Sequence, residues 1–210
     1  MSEEKNIQEQ TGGEKNPLLI RFRNPYRFEG KEYAELDLSG LDSLTVQDAV
    51  DAQRQLFNQQ EEATSLLTET TTAFARVLAA KATGKPIEFF QQMPRGTWKA
   101  VGNTVRIHLN GEKKTEHHVM RLEKPYFFKD KEYAEIDLKG VADLSSMHES
   151  HAENRMAREG FFVTENSFNF LYACVIASMA TGQPEEFFTG LPLKEVVKLK
   201  TAVNDADFFG

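Results

Sequence analysis

The chain has 210 residues, 32 acidic against 25 basic, for a formal net charge of −7. An acidic chain with no long run of Lys or Arg is repelled by a phosphate backbone, which argues against nucleic acid as a partner. One cysteine, Cys174, excludes an intramolecular disulfide, and no segment approaches the roughly 18 apolar residues of a membrane span.

The opening MSEEKNIQEQTGGEKN is acidic and has no apolar h-region, so residues 1–15 read as a disordered tail and not as a signal peptide. LLIRF, from Leu18 to Phe22, then starts a strand. Pro25 follows and cannot donate to a ladder, which places it at an edge or a bulge. FEGKEY supplies a turn, with Gly30 free to take positive φ. From Tyr33 to Leu38 the residues alternate. Ala34, Leu36 and Leu38 fall on one face and Tyr33, Glu35 and Asp37 on the other, as in a half-buried strand.

Helices come next. Thr45 with Asp48 three residues on has the pattern of an N-terminal cap. Phe74, Val77 and Leu78 share a helix face, Gly84 suits the left-handed residue past a helix end, and Pro86 prevents continuation while suiting the first turn of a short helix. RGTWKAVGNTVRIHLNG fits a helix or, through the alternation of Val105, Ile107 and Leu109, a strand.

The chain then repeats itself. KEYAELDLSG at Lys31–Gly40 returns as KEYAEIDLKG at Lys131–Gly140, identical at eight of ten positions, and ATGKPIEFF at Ala82–Phe90 returns as ATGQPEEFF at Ala180–Phe188, identical at seven of nine. Pro25-Tyr26 and Phe28 match Pro125-Tyr126 and Phe128, and Met93-Pro94 matches Leu191-Pro192. Two blocks recurring in the same order mean that a whole unit is duplicated. One unit covers residues 16–111, the other 118–210, and the polar stretch 112–117 reads as a linker. In the second unit VMRL starts the first strand, Ser146 with Glu149 marks the first cap, and Phe168, Leu171, Tyr172, Val175, Ile176 and Met179 form a wide helical stripe that ends at Gly182 and Pro184. A last helix runs from about Leu193 to Val203, with Val196, Val197 and Val203 inward. Each unit is thus an N-terminal β-hairpin or small meander followed by about three helices. The fold class is α+β in two tandem homologous units.

The side chains that could carry chemistry have plainer uses. His148-Glu149-Ser150-His151 is one residue short of the zinc signature HExxH and lacks a third ligand, and the first unit has Asp48 and Asp51 there. It reads as an exposed helix face, with no metal, and His117-His118 reads as solvated. The carboxylates Glu32, Glu35 and Asp37, and their copies Glu132, Glu135 and Asp137, lie on the wet side of a strand beside lysines. That suits a solvated face that blunts edge pairing better than acid–base work. Cys174 sits in the apolar run FLYACVIASM, as a buried and inert thiol would. No catalytic residue and no cofactor is expected. The Phe pairs remain. Two adjacent Phe on a short turn do not both bury easily, so one of each pair faces the core and the other is a candidate for partner binding. The candidates are Phe89, Phe90, Phe187, Phe188, Phe208 and Phe209.

PYRFEGKEYAELDLSGLDSLT followed by ATGKPIEFFQQMP, and in the second unit PYFFKDKEYAEIDLKGVADLS, ATGQPEEFFTGLP and a final DFFG, resemble the small tail assembly chaperones of long-tailed bacteriophages and prophages. Members of that family usually carry one such unit. The resemblance implies a non-enzymatic protein of the host cytoplasm, absent from the mature virion, that binds the tape measure protein and recruits the tail tube protein; self-association is a further option. The residues by themselves also fit a duplicated adaptor with no tail role, and less well a small-molecule enzyme.

Overall fold

The structure, a computed structural model, describes residues 16–59, 67–110, 115–116, 118–161 and 166–205. The proposed tail at 1–15, most of the linker, and Phe208 and Phe209 lie outside these residues.

Each unit opens on an antiparallel hairpin. β1 (Leu19–Phe28) pairs with β2 (Lys31–Asp37), and β4 (Val119–Phe128) with β5 (Lys131–Asp137). A short β3 (Thr115–Glu116) adds to the free edge of β4, so the stretch read as linker carries a strand, and His118 (φ 63°) forms the turn after it. Both long hairpins close on two residues at positive φ: Glu29 (48°) and Gly30 (75°), Lys129 (47°) and Asp130 (62°). Positive φ at both central positions is the two-residue turn that matches strand twist.

Both prolines sit in a bulge. The pairing runs Arg21 to Glu35 and then Tyr26 to Tyr33, so that Phe22–Pro25 stand opposite Ala34 alone, and the second hairpin repeats this register. The bulge corrects the expected face. Leu36, Leu38, Ile136 and Leu138 are buried, but Ala34 and Ala134 are exposed and the rings of Tyr33 and Tyr133 turn inward. Strict alternation fails because the strand turns over where its partner holds extra residues.

Among the described residues four α-helices follow each hairpin, in keeping with about three expected: α1 (Val46–Asn58), α2 (Thr72–Thr83), α3 (Ile87–Gln91) and α4 (Arg95–Leu109), then α5 (Ser146–Arg158), α6 (Phe170–Thr181), α7 (Glu185–Thr189) and α8 (Val196–Val203). Gly84 (φ 64°) and Gly182 (φ 70°) end α2 and α6 in the left-handed conformation, and Pro86 and Pro184 stand just before α3 and α7. The ambiguous stretch from Arg95 is helix. Val101, Val105 and Leu109 recur every four residues and are buried, whereas Ile107, which made the stretch look like a strand, is 75% exposed.

Gly40 and Gly140 explain why the two repeated blocks travel together. A Cβ on Gly40 would overlap the Ala82 carbonyl oxygen, and one on Gly140 the Ala180 carbonyl oxygen. The last residue of the first block therefore rests on the first residue of the second, backbone against backbone.

The two units share one hydrophobic core. α1 lies on α6, α7 and the 3-10 turn Leu193–Glu195. Backbone bonds join them: Val46 N–H to the Leu191 carbonyl (2.8 Å) and Leu193 N–H to the Leu44 carbonyl (2.9 Å). The Gln53 amide donates to the Phe168 carbonyl (3.1 Å) and accepts from Phe170 N–H (3.0 Å). Phe57 meets Phe161, and Phe74 meets Phe170. α6 is buried all round from Phe170 to Ala177, so what reads as a stripe is a central helix.

A buried ion pair also crosses the junction, Lys200 Nζ to Glu69 Oε1 at 2.6 Å. Removing one partner of such a pair strands a buried charge and costs about 3–5 kcal/mol. Chemical denaturation should show Lys200→Met and Glu69→Leu each destabilising by that order, and the double variant recovering most of it. For the close approach, Gly40→Ala and Gly140→Ala should each cost about 1–3 kcal/mol or more. Gly96→Ala, where a Cβ meets open space, should cost nothing in the same melts.

Candidate interaction surfaces

The motifs that define each unit converge on one ring. Phe89 is surrounded edge-to-face by Tyr26 (5.0 Å between centroids), Phe28 (5.3 Å) and Tyr33 (5.0 Å), and it touches Phe90 (5.1 Å). The Tyr26 hydroxyl donates to the Phe89 carbonyl at 2.8 Å. Phe187 repeats the ring contacts with Tyr126 (5.4 Å), Phe128 (5.3 Å), Tyr133 (4.8 Å) and Phe188 (5.0 Å). PY-x-F, KEY and EFF are thus the hairpin and helix halves of one aromatic contact.

This overturns the expectation for the Phe pairs. Phe89, Phe90, Phe187 and Phe188 are each at most 2% exposed. The helices that carry them are one turn long and wedged between hairpin and helix layer, so both neighbours find apolar surroundings. Phe90 goes on to Trp98 on α4 (6.4 Å). None of the four is free to bind a partner.

Exposed apolar side chains lie elsewhere, and they distinguish the units. Phe127 is 69% exposed at the position of Arg27, and Met147 is 81% exposed at the position of Gln47. On the first hairpin the outer face is tied by cross-strand pairs, Arg21 with Glu35 (3.7 Å) and Arg27 with Glu32 (3.2 Å). On the second, Phe127 stands across from Glu132. The six strand carboxylates are all exposed, and the Ser39 N–H bonded to Asp37 (2.8 Å) holds that carboxyl below its usual range.

At the junction of the units a polar cleft of about 240 Å³ is lined by Gln47, Arg54, Arg155, Glu159, Glu185 and Glu186, among others. Its charges satisfy one another: Arg54 meets Glu159 (3.0 Å), and Arg155 meets Glu159 (2.6 Å) and Glu185 (3.0 Å). The Arg155 hydrogen bond keeps the Glu159 carboxyl below its ordinary range.

The second helix cap is offset by one from the sequence reading. Ser145, not Ser146, precedes α5, and His148 takes the part expected of Glu149. Its Nδ1 accepts from Ser145 N–H at 3.0 Å, as Asp48 accepts from Thr45 N–H in the first unit. Accepting that bond uses the lone pair a metal would need. No group of three metal-ligating side chains occurs among the described residues. Cys174 is buried and free, and burial pushes its thiol far up. No helix among the described residues is long and apolar enough to cross a membrane. No protein-family model, curated protein or solved structure matches the chain.

If the Phe pairs are structural, Phe89→Ala and Phe187→Ala should each cost about 3–5 kcal/mol in urea melts, whereas Phe127→Ser should leave stability within about 0.5 kcal/mol.

Proposed function

We propose that the protein is a non-catalytic phage tail assembly chaperone. It would bind the tape measure protein in the host cytoplasm, help recruit the tail tube protein, and leave before the virion is complete. The observation that carries the reading is the ordered pair of motif blocks, PY-x-F-x-[GD]-KEY-x-E-[LI]-DL-x-G and ATG-x-P-x-EFF, present twice. The duplication fits the task physically. A long, repetitive partner is held better by two tethered weak sites than by one, because the first contact raises the effective concentration for the second. The two hairpins stand on one core and would carry such a pair of sites, each with its own outer-face chemistry.

Co-expression with the tape measure protein of the same phage or prophage tests this directly. A tagged chain should retain the tape measure protein on affinity resin, and its deletion should leave tails unassembled. Failure to co-purify, together with normal tails after deletion, would sink the proposal in favour of an adaptor with no tail role.

A further inference from the structure

In each unit the outer strand of the hairpin lies beside the loop that enters the short helix, and in the second unit a shallow groove runs between them. The loops are built alike. In the first unit Lys85 N–H donates to the Thr83 hydroxyl (3.3 Å), which donates to the Ala79 carbonyl (2.8 Å). In the second, Gln183 N–H donates to the Thr181 hydroxyl (3.2 Å), which donates to the Ala177 carbonyl (2.8 Å). The residues at equivalent places differ. Lys85 lays its ammonium over two rings of the aromatic cluster, 4.4 Å from the Tyr33 centroid and 5.0 Å from Phe89. Gln183 has no charge to offer, and its Nε2 stands 3.4 Å from the Tyr133 hydroxyl. There a cavity of about 200 Å³ opens, lined by Tyr133, Glu135, Ile136, Asp137, Gln183 and Phe187 among others.

We propose that this groove receives a lysine side chain from an extended segment of a partner polypeptide, in the way the rings of the first unit receive Lys85. Three observations fix the occupant. Ring faces attract a cation, and in the twin site a lysine takes that place. The mouth carries the exposed carboxylates of Glu135 and Asp137, the latter sharing its charge with Lys139 at 3.8 Å. β5 is the last strand of its sheet among the described residues, so its outer edge offers backbone groups to an incoming strand. Lys131, on the same strand, reaches the Tyr133 ring at 4.8 Å and competes with the incoming lysine. In the first unit the loop itself supplies the lysine, whereas in the second the loop supplies Gln183 and leaves a cavity, with Lys131 the cation on the Tyr133 ring.

The test is an NMR titration of the full chain with a capped pentapeptide of threonine and valine bearing a central lysine, beside its norleucine twin. The lysine peptide should move the signals of Tyr133, Gln183 and the β5 amides and leave Tyr33 and Lys85 in place. The norleucine twin should bind about three- to ten-fold more weakly, the range expected of one cation–ring contact. Gln183→Lys should abolish binding by filling the groove from within, and Lys85→Gln should open a second site at Tyr33, both in folded protein. Equal binding of the two peptides, binding that survives Gln183→Lys, or no shifts up to millimolar peptide would overturn the proposal. The groove stands on its own geometry, so a negative titration leaves the tail reading untouched, and a failed pull-down leaves the groove.

Discussion

One phenyl ring in each unit holds the architecture together. Phe89 and Phe187 come from helices of a single turn, which cannot hold themselves in water. They are kept in place because three rings from the hairpin close around each. The dependence is mutual, since a two-stranded hairpin is marginal alone and needs a surface to pack on. The glycine just past each hairpin then lets the strand pair settle against α2 or α6 at backbone distance. Hairpin, short helix and long helix thus form one mechanical piece, and duplication copied the piece whole.

The copies do not play equal parts. α1 buries Val46, Val50 and Leu56 along with Ala49, Ala52 and Gln53, because it faces both its own unit and the other. α5, its counterpart, buries Ala152 and Met156. α6 is hidden all round, while α2 keeps Lys81 exposed and paired with Asp48. The join between units is therefore lopsided, with the first helix of one unit set against the closing helices of the other. Fusion into one chain suits this arrangement, since a symmetric pair of identical units would need each surface to serve both sides.

Much of this was legible in the residues. The repeat showed two units, the glycine–proline pairs marked two helix ends, and the prolines near the hairpins marked the bulges. The α1–α5 asymmetry was also there to see, in VQDAVDAQRQLF against SMHESHAENRMA. Other features depended on partners far along the chain. Strand alternation misplaced Ala34 because the bulge that turns the strand lies in β1. The Phe pairs looked half exposed because a five-residue helix has too little surface of its own to hide two rings, and the hairpin that hides them lies about sixty residues upstream. The open groove beside Tyr133 has a signal in sequence, a lysine in one copy and glutamine in the other. That difference acquires meaning once Lys85 is seen lying on the rings.

The ion pair between Glu69 and Lys200 links residues 131 apart in sequence. A ribosome delivers the chain from its N-terminus at roughly 5–20 residues per second, so Glu69 and the junction face of α1 emerge well before the residues that cover them. Until Leu191, Leu193 and Lys200 leave the exit tunnel, the first unit carries an acid with no counter-ion and an apolar helix face open to water. The order of synthesis thus gives this fold a vulnerable interval of roughly 7 to 26 seconds. It closes only when the last helix arrives, and a truncated product would remain in it.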